Sequence, residues 1–205
     1  MTDQPGYDAL AGLYAKTFPQ PYETSLEQHA VRSFADLVKE QTLPGVLVDV
    51  GCGLGHITND LALQGLEIVG VDPSTQMLGR ARSSYPDCQF VHDDARLEGA
   101  ASGLMVKAIL ARYSLIHIDP DEVPHVLAVW VQRVARGGVV LIACQASDGP
   151  GVTEFDHRVA RAWRWHPDTL AEALKAAGFA ELWRTVSRPD TEHRFPAIHL
   201  AAQRT

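Results

Sequence analysis

Three glycines at alternate positions, Gly51, Gly53 and Gly55, follow the run Val46-Leu47-Val48-Asp49-Val50, and Asp72 stands 21 residues after the first of them. A β-branched run that enters such a loop and then a helix lets the backbone turn tightly and come close to a ligand at the carboxyl edge of a parallel sheet. A carboxylate at the end of the following strand can accept two hydrogen bonds from ribose hydroxyls. Together, loop and acid indicate an adenosine-type ligand rather than a purely structural turn. The third glycine separates the cofactor classes. A dinucleotide fingerprint, G-x-G-x-x-G, needs it at position 56, where close helix packing seats a pyrophosphate on the helix amino terminus. Here position 56 is His and the glycine falls at 55.

Further motifs follow in order. Val48-Asp49-Val50-Gly51-Cys52-Gly53-Leu54-Gly55, then Val69-Gly70-Val71-Asp72-Pro73-Ser74 through Met77-Leu78, then Phe90-Val91-His92-Asp93-Asp94-Ala95 resemble the first three motifs of class I S-adenosylmethionine-dependent methyltransferases of the small-molecule, single-domain type. The resemblance covers residues 46 to about 144, and outside them only the general layout agrees. It implies a Rossmann-like, doubly wound, mostly parallel seven-stranded α/β sheet with helices on both faces and an N-terminal helical lid. It also implies that Asp49 and the Gly51–Gly55 loop, including Cys52 and Gly53, hold the methionine portion of S-adenosylmethionine, with S-adenosylhomocysteine as product. Asp72 and Pro73 would hold the ribose, Met77 would pack on the adenine, Asp94 would take its amino group and the Ala95 backbone its ring edge. Tyr14 and Arg112 complete the expected cofactor set. Carboxylates suit this ligand on elementary grounds, since it carries an ammonium, a sulfonium and an amine but no pyrophosphate.

Methyl transfer is an in-line displacement, served by positioning and exclusion of water, and it needs a base only when the acceptor is protonated. Arg112, Tyr113 and His117 follow the fourth expected strand at the carboxyl edge and are the catalytic candidates; for His117 the alternative is a hydrogen-bonded structural histidine. One of Tyr7 and Tyr14 is expected to close over the cofactor. Arg158, Arg161 and Arg164 recur every third residue, which reads as a solvated face or as an attraction for an anionic acceptor. Within the resemblance there is one departure: Gly103-Leu104-Met105-Val106-Lys107-Ala108 has no acid where many relatives carry one at the fourth strand, so the reaction is expected to need no metal. Ala111-Arg112-Tyr113-Ser114 also lacks the N/D-P-P-Y/F motif of enzymes that methylate exocyclic amines of bases. The expectation is therefore methylation of a small molecule at O, N or C. A non-catalytic S-adenosylmethionine-binding module is the alternative, and His56 argues against a nicotinamide-dependent oxidoreductase.

The elements that must position these residues are legible from periodicity. Expected strands are Val46–Val50, Glu67–Val71, Cys88–His92, Lys107–Tyr113 and Val139–Cys144, then Ala180–Ser187 and Ile198–Gln203. Helices are expected at His56–Gln64, Thr75–Ser83, Asp121–Val134 (with Asp119 as cap and Pro120 at its first position) and Pro167–Ala177, ended by Gly178. A capping pair Thr24/Glu27 opens a helix with Leu26, Ala30, Phe34, Leu37 and Val38 at helical spacing, and Tyr7, Leu10, Ala11 and Tyr14 suggest a shorter one before it. Residues 1–42 thus form the expected cap and 43–205 the cofactor-binding domain. A helical piece around Val159 and Trp163 is expected in the long stretch after Cys144.

Composition bounds the rest. The 205 residues carry 25 acidic and 18 basic side chains, a net charge of −7, where a nucleic-acid binder needs a basic face. The longest apolar runs, Val126–Val131 and Val139–Cys144, fall far short of the ~20 residues that span a bilayer. The acidic start, Met1 to Asp8, lacks the positive region of a secretory signal, and three cysteines without a C-x-x-C pair suit a reducing compartment; a cytoplasmic location is expected.

Overall fold

The computed structural model describes residues 6–205, so the first five residues of the expected cap, and most of the acidic start, lie outside the described residues. In chain order the elements are α1 (Gly6–Thr17), α2 (Ser25–Glu40), β1 (Val46–Val50), α3 (His56–Leu63), β2 (Ile68–Asp72), α4 (Thr75–Ser84), β3 (Gln89–His92), β4 (Val106–Arg112), α5 (Val123–Arg133), β5 (Val134–Gln145), β6 (Val152–Phe155), β7 (Ala162–Trp165), α6 (Pro167–Ala177), β8 (Phe179–Val186) and β9 (Ala197–Arg204). Seven strands form one sheet in the order β3-β2-β1-β4-β5-β9-β8. Neighbours from β3 to β5 run parallel, and β9 is antiparallel to both β5 and β8.

Both faces of the sheet are covered, so its central strands carry apolar residues on both faces rather than alternately. Val48, Ile109, Val140 and Ile142 point into a core closed by Val126, Leu127 and Trp130 of α5 and Leu170 and Leu174 of α6. Leu47, Leu110 and Leu141, offset by one residue, point the other way onto Val31, Phe34 and Val38 of α2 and Leu61 of α3. The front segment thus divides: α2 is a core helix of the sheet, whereas Ala11 of α1 packs on Leu54 and on Met77 of α4. Thr24 caps α2, its hydroxyl accepting from the Glu27 N–H at 3.1 Å.

Two local expectations need correction. α5 begins at Val123 with Pro124 in its first turn, because Asp119 folds a separate turn ahead of it, accepting from the Asp121 N–H at 3.1 Å. The stretch around Val159 and Trp163 is a hairpin of β6 and β7 and not a helix. Its Ala-Trp-Arg-Trp segment puts both buried tryptophans on one side and Arg164 on the other, a period of two that outweighs the three-residue recurrence of arginine. Among the described residues, no helix is long and apolar enough to cross a membrane.

Candidate functional site

At the carboxyl end of β1 the loop takes left-handed turns at Gly51 (φ +73°), Gly53 (φ +54°) and Gly55 (φ +77°). Each glycine has its own reason. A Cβ on Gly51 would run into the Ser114 side chain, one on Gly55 would meet the Phe90 ring at 2.6 Å, and one on Gly53 would meet nothing within 4 Å. The middle of the loop therefore faces open space while its ends are packed. Asp72 braces it: one carboxylate oxygen accepts from the Gly53 N–H and the other from the Ser74 N–H, both at 2.8 Å. Burial raises the Asp72 carboxyl above its ordinary range against these two bonds. Asp49 lies beneath, fully enclosed, and accepts from the Thr58 hydroxyl at 2.6 Å; burial pushes it up to about 6. Cys52 packs against Leu78, Ala81 and Phe90, and burial raises its thiol.

Over this loop lies α1. Asp8 anchors it to the start of α4, accepting from the Ser74 hydroxyl at 2.6 Å and the Gln76 N–H at 3.0 Å. Tyr7 and Tyr14 are both turned inward, their rings edge to face at 5.7 Å, and burial raises both hydroxyls. Tyr7 lies 2.8 Å from Nε2 of His117, whose Nδ1 is 2.8 Å from the Arg161 carbonyl. A carbonyl can only accept, so Nδ1 carries the proton and Nε2 is the basic nitrogen, receiving the Tyr7 O–H. Burial, helped by the His157 ring at 4.9 Å, lowers His117 to about 4. The imidazole is therefore neutral near pH 7.

Along the β3 side, the third motif makes local bonds. Asp94 accepts from the Arg96 N–H at 2.8 Å and pairs with its guanidinium at 3.1 Å, and the Ala95 carbonyl accepts from Trp130 Nε1 at 2.7 Å. The Pro73 carbonyl is 2.9 Å from His92 Nε2, and Met77 is buried beneath α1.

On the other side of the edge, Arg112 forms a buried ion pair with Glu27 of α2, its guanidinium 5.5 Å from the Tyr22 ring centroid and 5.7 Å from that of Tyr113. Tyr113 has a φ of +52°, a costly conformation for a residue with a Cβ, and its N–H is held by the Ala143 carbonyl at 2.7 Å. Arg112 and Tyr113 thus sit together, whereas the partners of His117 are Tyr7, His157 and the Arg161 carbonyl. Glu27 was assigned only a capping role in the sequence, and Tyr22 and His199 none. The signal lay in spacing: Glu27 shares a helix face with Val31, Phe34 and Val38, so its carboxylate had to be buried and paired. The arginine triplet is dispersed: Arg161 pairs with Glu154 at 3.1 Å, Arg164 lies 4.1 Å over the Phe195 ring, and Arg158 is exposed. Among the described residues, no three His, Cys, Asp or Glu side chains gather as a metal site would require.

Residues 47–138 match the family model described as a methyltransferase domain. A protein of Alkaliphilus oremlandii named an uncharacterized methyltransferase is 25% identical over 63% of this chain and 56% of its own length. A namesake of Bacillus cereus is 27% identical over 78% of this chain and 64% of its own. The chain thus spans between about half and two thirds of these curated relatives. Among solved structures, the 1,6-didemethyltoxoflavin N1-methyltransferase of Burkholderia thailandensis, with S-adenosylhomocysteine bound, superposes with a TM-score of 0.68 at 22% identity, covering 96% of this chain and 87% of that one. The magnesium protoporphyrin IX methyltransferase of Synechocystis PCC 6803, also with S-adenosylhomocysteine, gives 0.71 at 18% identity, covering 97% and 96%. Residues 47–138 thus match a methyltransferase domain, and the chain as a whole has the fold of these solved methyltransferase structures.

Proposed function

We propose that this chain transfers a methyl group from S-adenosylmethionine to a small-molecule acceptor without a metal ion. The observation that carries the reading is the Gly51–Gly55 loop braced on Asp72, open at Gly53 and roofed by α1. The residues fit the cofactor: Asp72 and Asp49 supply carboxylates, and the buried Ser114 hydroxyl beside Gly51 has no partner of its own. Asp49, Asp72, Met77 and Tyr14 would hold it; when bound, it supplies an electrophilic methyl group. The chain's own contributions are positioning, exclusion of water by Tyr7 and Tyr14, and proton acceptance at His117 Nε2 once the Tyr7 hydroxyl turns away. Metal independence rests on the missing acid at β4.

The two structural neighbours are named for small acceptors, 1,6-didemethyltoxoflavin and magnesium protoporphyrin IX, which supports an acceptor of that class. A nucleic-acid substrate is disfavoured by the net charge of −7. Three unpaired cysteines favour a cytoplasmic site of action.

Calorimetry with S-adenosylmethionine, S-adenosylhomocysteine and NAD tests the cofactor: the first two should bind and NAD should not. Tighter binding of NAD would sink the assignment. Acceptor screening with labelled S-adenosylmethionine, with and without chelator, tests transfer; cofactor binding without turnover on any acceptor class would favour a non-catalytic module, and turnover restored only by magnesium would refute metal independence.

A further inference from the structure

Buried polar atoms are nearly always hydrogen-bonded, so a group of orphans in one place marks a missing partner. Arg112 Nε, Gln145 Oε1, Thr185 Oγ1 and both ring nitrogens of His199 are buried without one. Strand register brings them together. Arg112 of β4 is level with Ala143 of β5, Ala143 with His199 of β9, and His199 with Thr185 of β8. Level residues share a face of the sheet, and Gln145, two residues beyond Ala143, shares it too.

Ala143 is the small member of this row. Strands lie about 4.8 Å apart, so Arg112 and His199 flank a gap about two spacings wide with the alanine methyl as its floor. His199 senses the charges of both Arg112 and Glu27, and its ring meets that of Tyr113 at 6.5 Å. These groups are neighbours at one end of the same sheet face.

The chemistry of the walls is specific. Arg112 offers an N–H, Gln145 an oxygen, Thr185 a hydroxyl that can do either, and neutral His199 one donor and one acceptor. Their charge is balanced: Glu27 matches Arg112, and burial lowers His199 to about 4. Glu23 stands near Glu27, which together with burial pushes its carboxyl upward. An anion would find no unmatched cation here.

We propose that this slot binds the methyl acceptor through an uncharged amide-like edge, a carbonyl beside an N–H as in a lactam or a pyrimidinone ring. The carbonyl takes the N–H of Arg112 or His199, and the ligand N–H goes to Gln145. The inference rests on the methyltransferase reading for the word acceptor; the slot itself rests on the orphaned atoms.

The test uses protein with ¹⁵N-labelled histidine, with and without S-adenosylhomocysteine, titrated with uracil and 2-pyridone against benzoate and benzylamine. The neutral lactams should shift the His199 ring nitrogens and the charged pair should not. Thr185→Val and Gln145→Leu, chosen to preserve shape, should each weaken lactam binding at least fivefold while leaving S-adenosylhomocysteine affinity unchanged. If no probe moves His199, if a charged probe moves it more, or if both variants bind as the parent does, the slot is a water-filled part of the core and the proposal falls. Lactam binding in protein that takes no S-adenosylhomocysteine would keep the slot and discard the methyltransferase reading.

Discussion

The carboxyl edge of the sheet has two halves, and they are built on opposite plans. On the β1–β2 side the carboxylates are already satisfied: Asp72 holds Gly53 and Ser74, Thr58 holds Asp49, and Asp8 holds Ser74 and Gln76. On the β4–β5–β9–β8 side one ion pair is complete and the polar atoms around it have no partner. A site whose ligand varies little among relatives can be preorganised by backbone and short side chains. A site whose ligand is peculiar to one protein must leave its hydrogen bonds open for that ligand, at some cost in stability.

The sharpest way to break this contrast is to remove Glu27. Stranding a buried guanidinium costs about 3–5 kcal/mol, so Glu27→Ala should lower the unfolding midpoint more than any single change in the glycine loop. Chemical denaturation measures it. A loss below about 1 kcal/mol would mean that the β4–β8 half tolerates unpaired charge and is wetter than its burial implies.

Asp72→Ala comes next. Loss of charged hydrogen bonds worth about 1.5–3 kcal/mol should weaken S-adenosylhomocysteine binding roughly tenfold or more in calorimetry. The same titration on Thr185→Val serves as the control from the other half. Equal effects would erase the division between the halves.

Tyr7→Phe removes one hydrogen bond between α1 and His117, a change of about 0.5–1.5 kcal/mol. It should raise the cofactor dissociation rate several-fold in stopped flow with little change in global stability. An unchanged rate would make α1 packing rather than a lid.

The smallest effect is in pH. His117 in one half and His199 in the other are both lowered to about 4 from an ordinary 6.5, so the unfolded chain binds more protons than the folded one between those values. Stability is full above pH 6.5 and falls as pH drops toward 4, while the step from pH 7 to 6 costs less than about 1 kcal/mol per histidine. His199→Phe should remove one share of that slope and His117→Gln the other. A slope that neither variant alters would place its source elsewhere. Asp49, raised to about 6, acts with the opposite sign, so Asp49→Asn should steepen the acid loss.

How much of this was readable beforehand differs between the halves for the same reason. Gly51, Gly53, Gly55 and Asp72 lie within one β-loop-α-β stretch, so their geometry is set by local backbone rules that spacing reports. The strands and helices around them fell within a few residues of expectation because both faces of the sheet demand apolar runs. The segment around Val159 and Trp163, expected as a helix, is the hairpin β6–β7, in which the packed tryptophans obey a period of two.

By itself, then, the chain determined its fold class, the glycine loop with its acid, and the absence of the dinucleotide spacing, since each is a relation between neighbours in sequence. Only the tertiary structure decided that His117 is held by Tyr7, that Arg112 is matched by Glu27, and that His199, Thr185 and Gln145 lie together on one face of the sheet. These partners lie on elements far apart in sequence. Whether a buried polar group is satisfied depends on which distant strand or helix the fold brings beside it, and no local pattern records that.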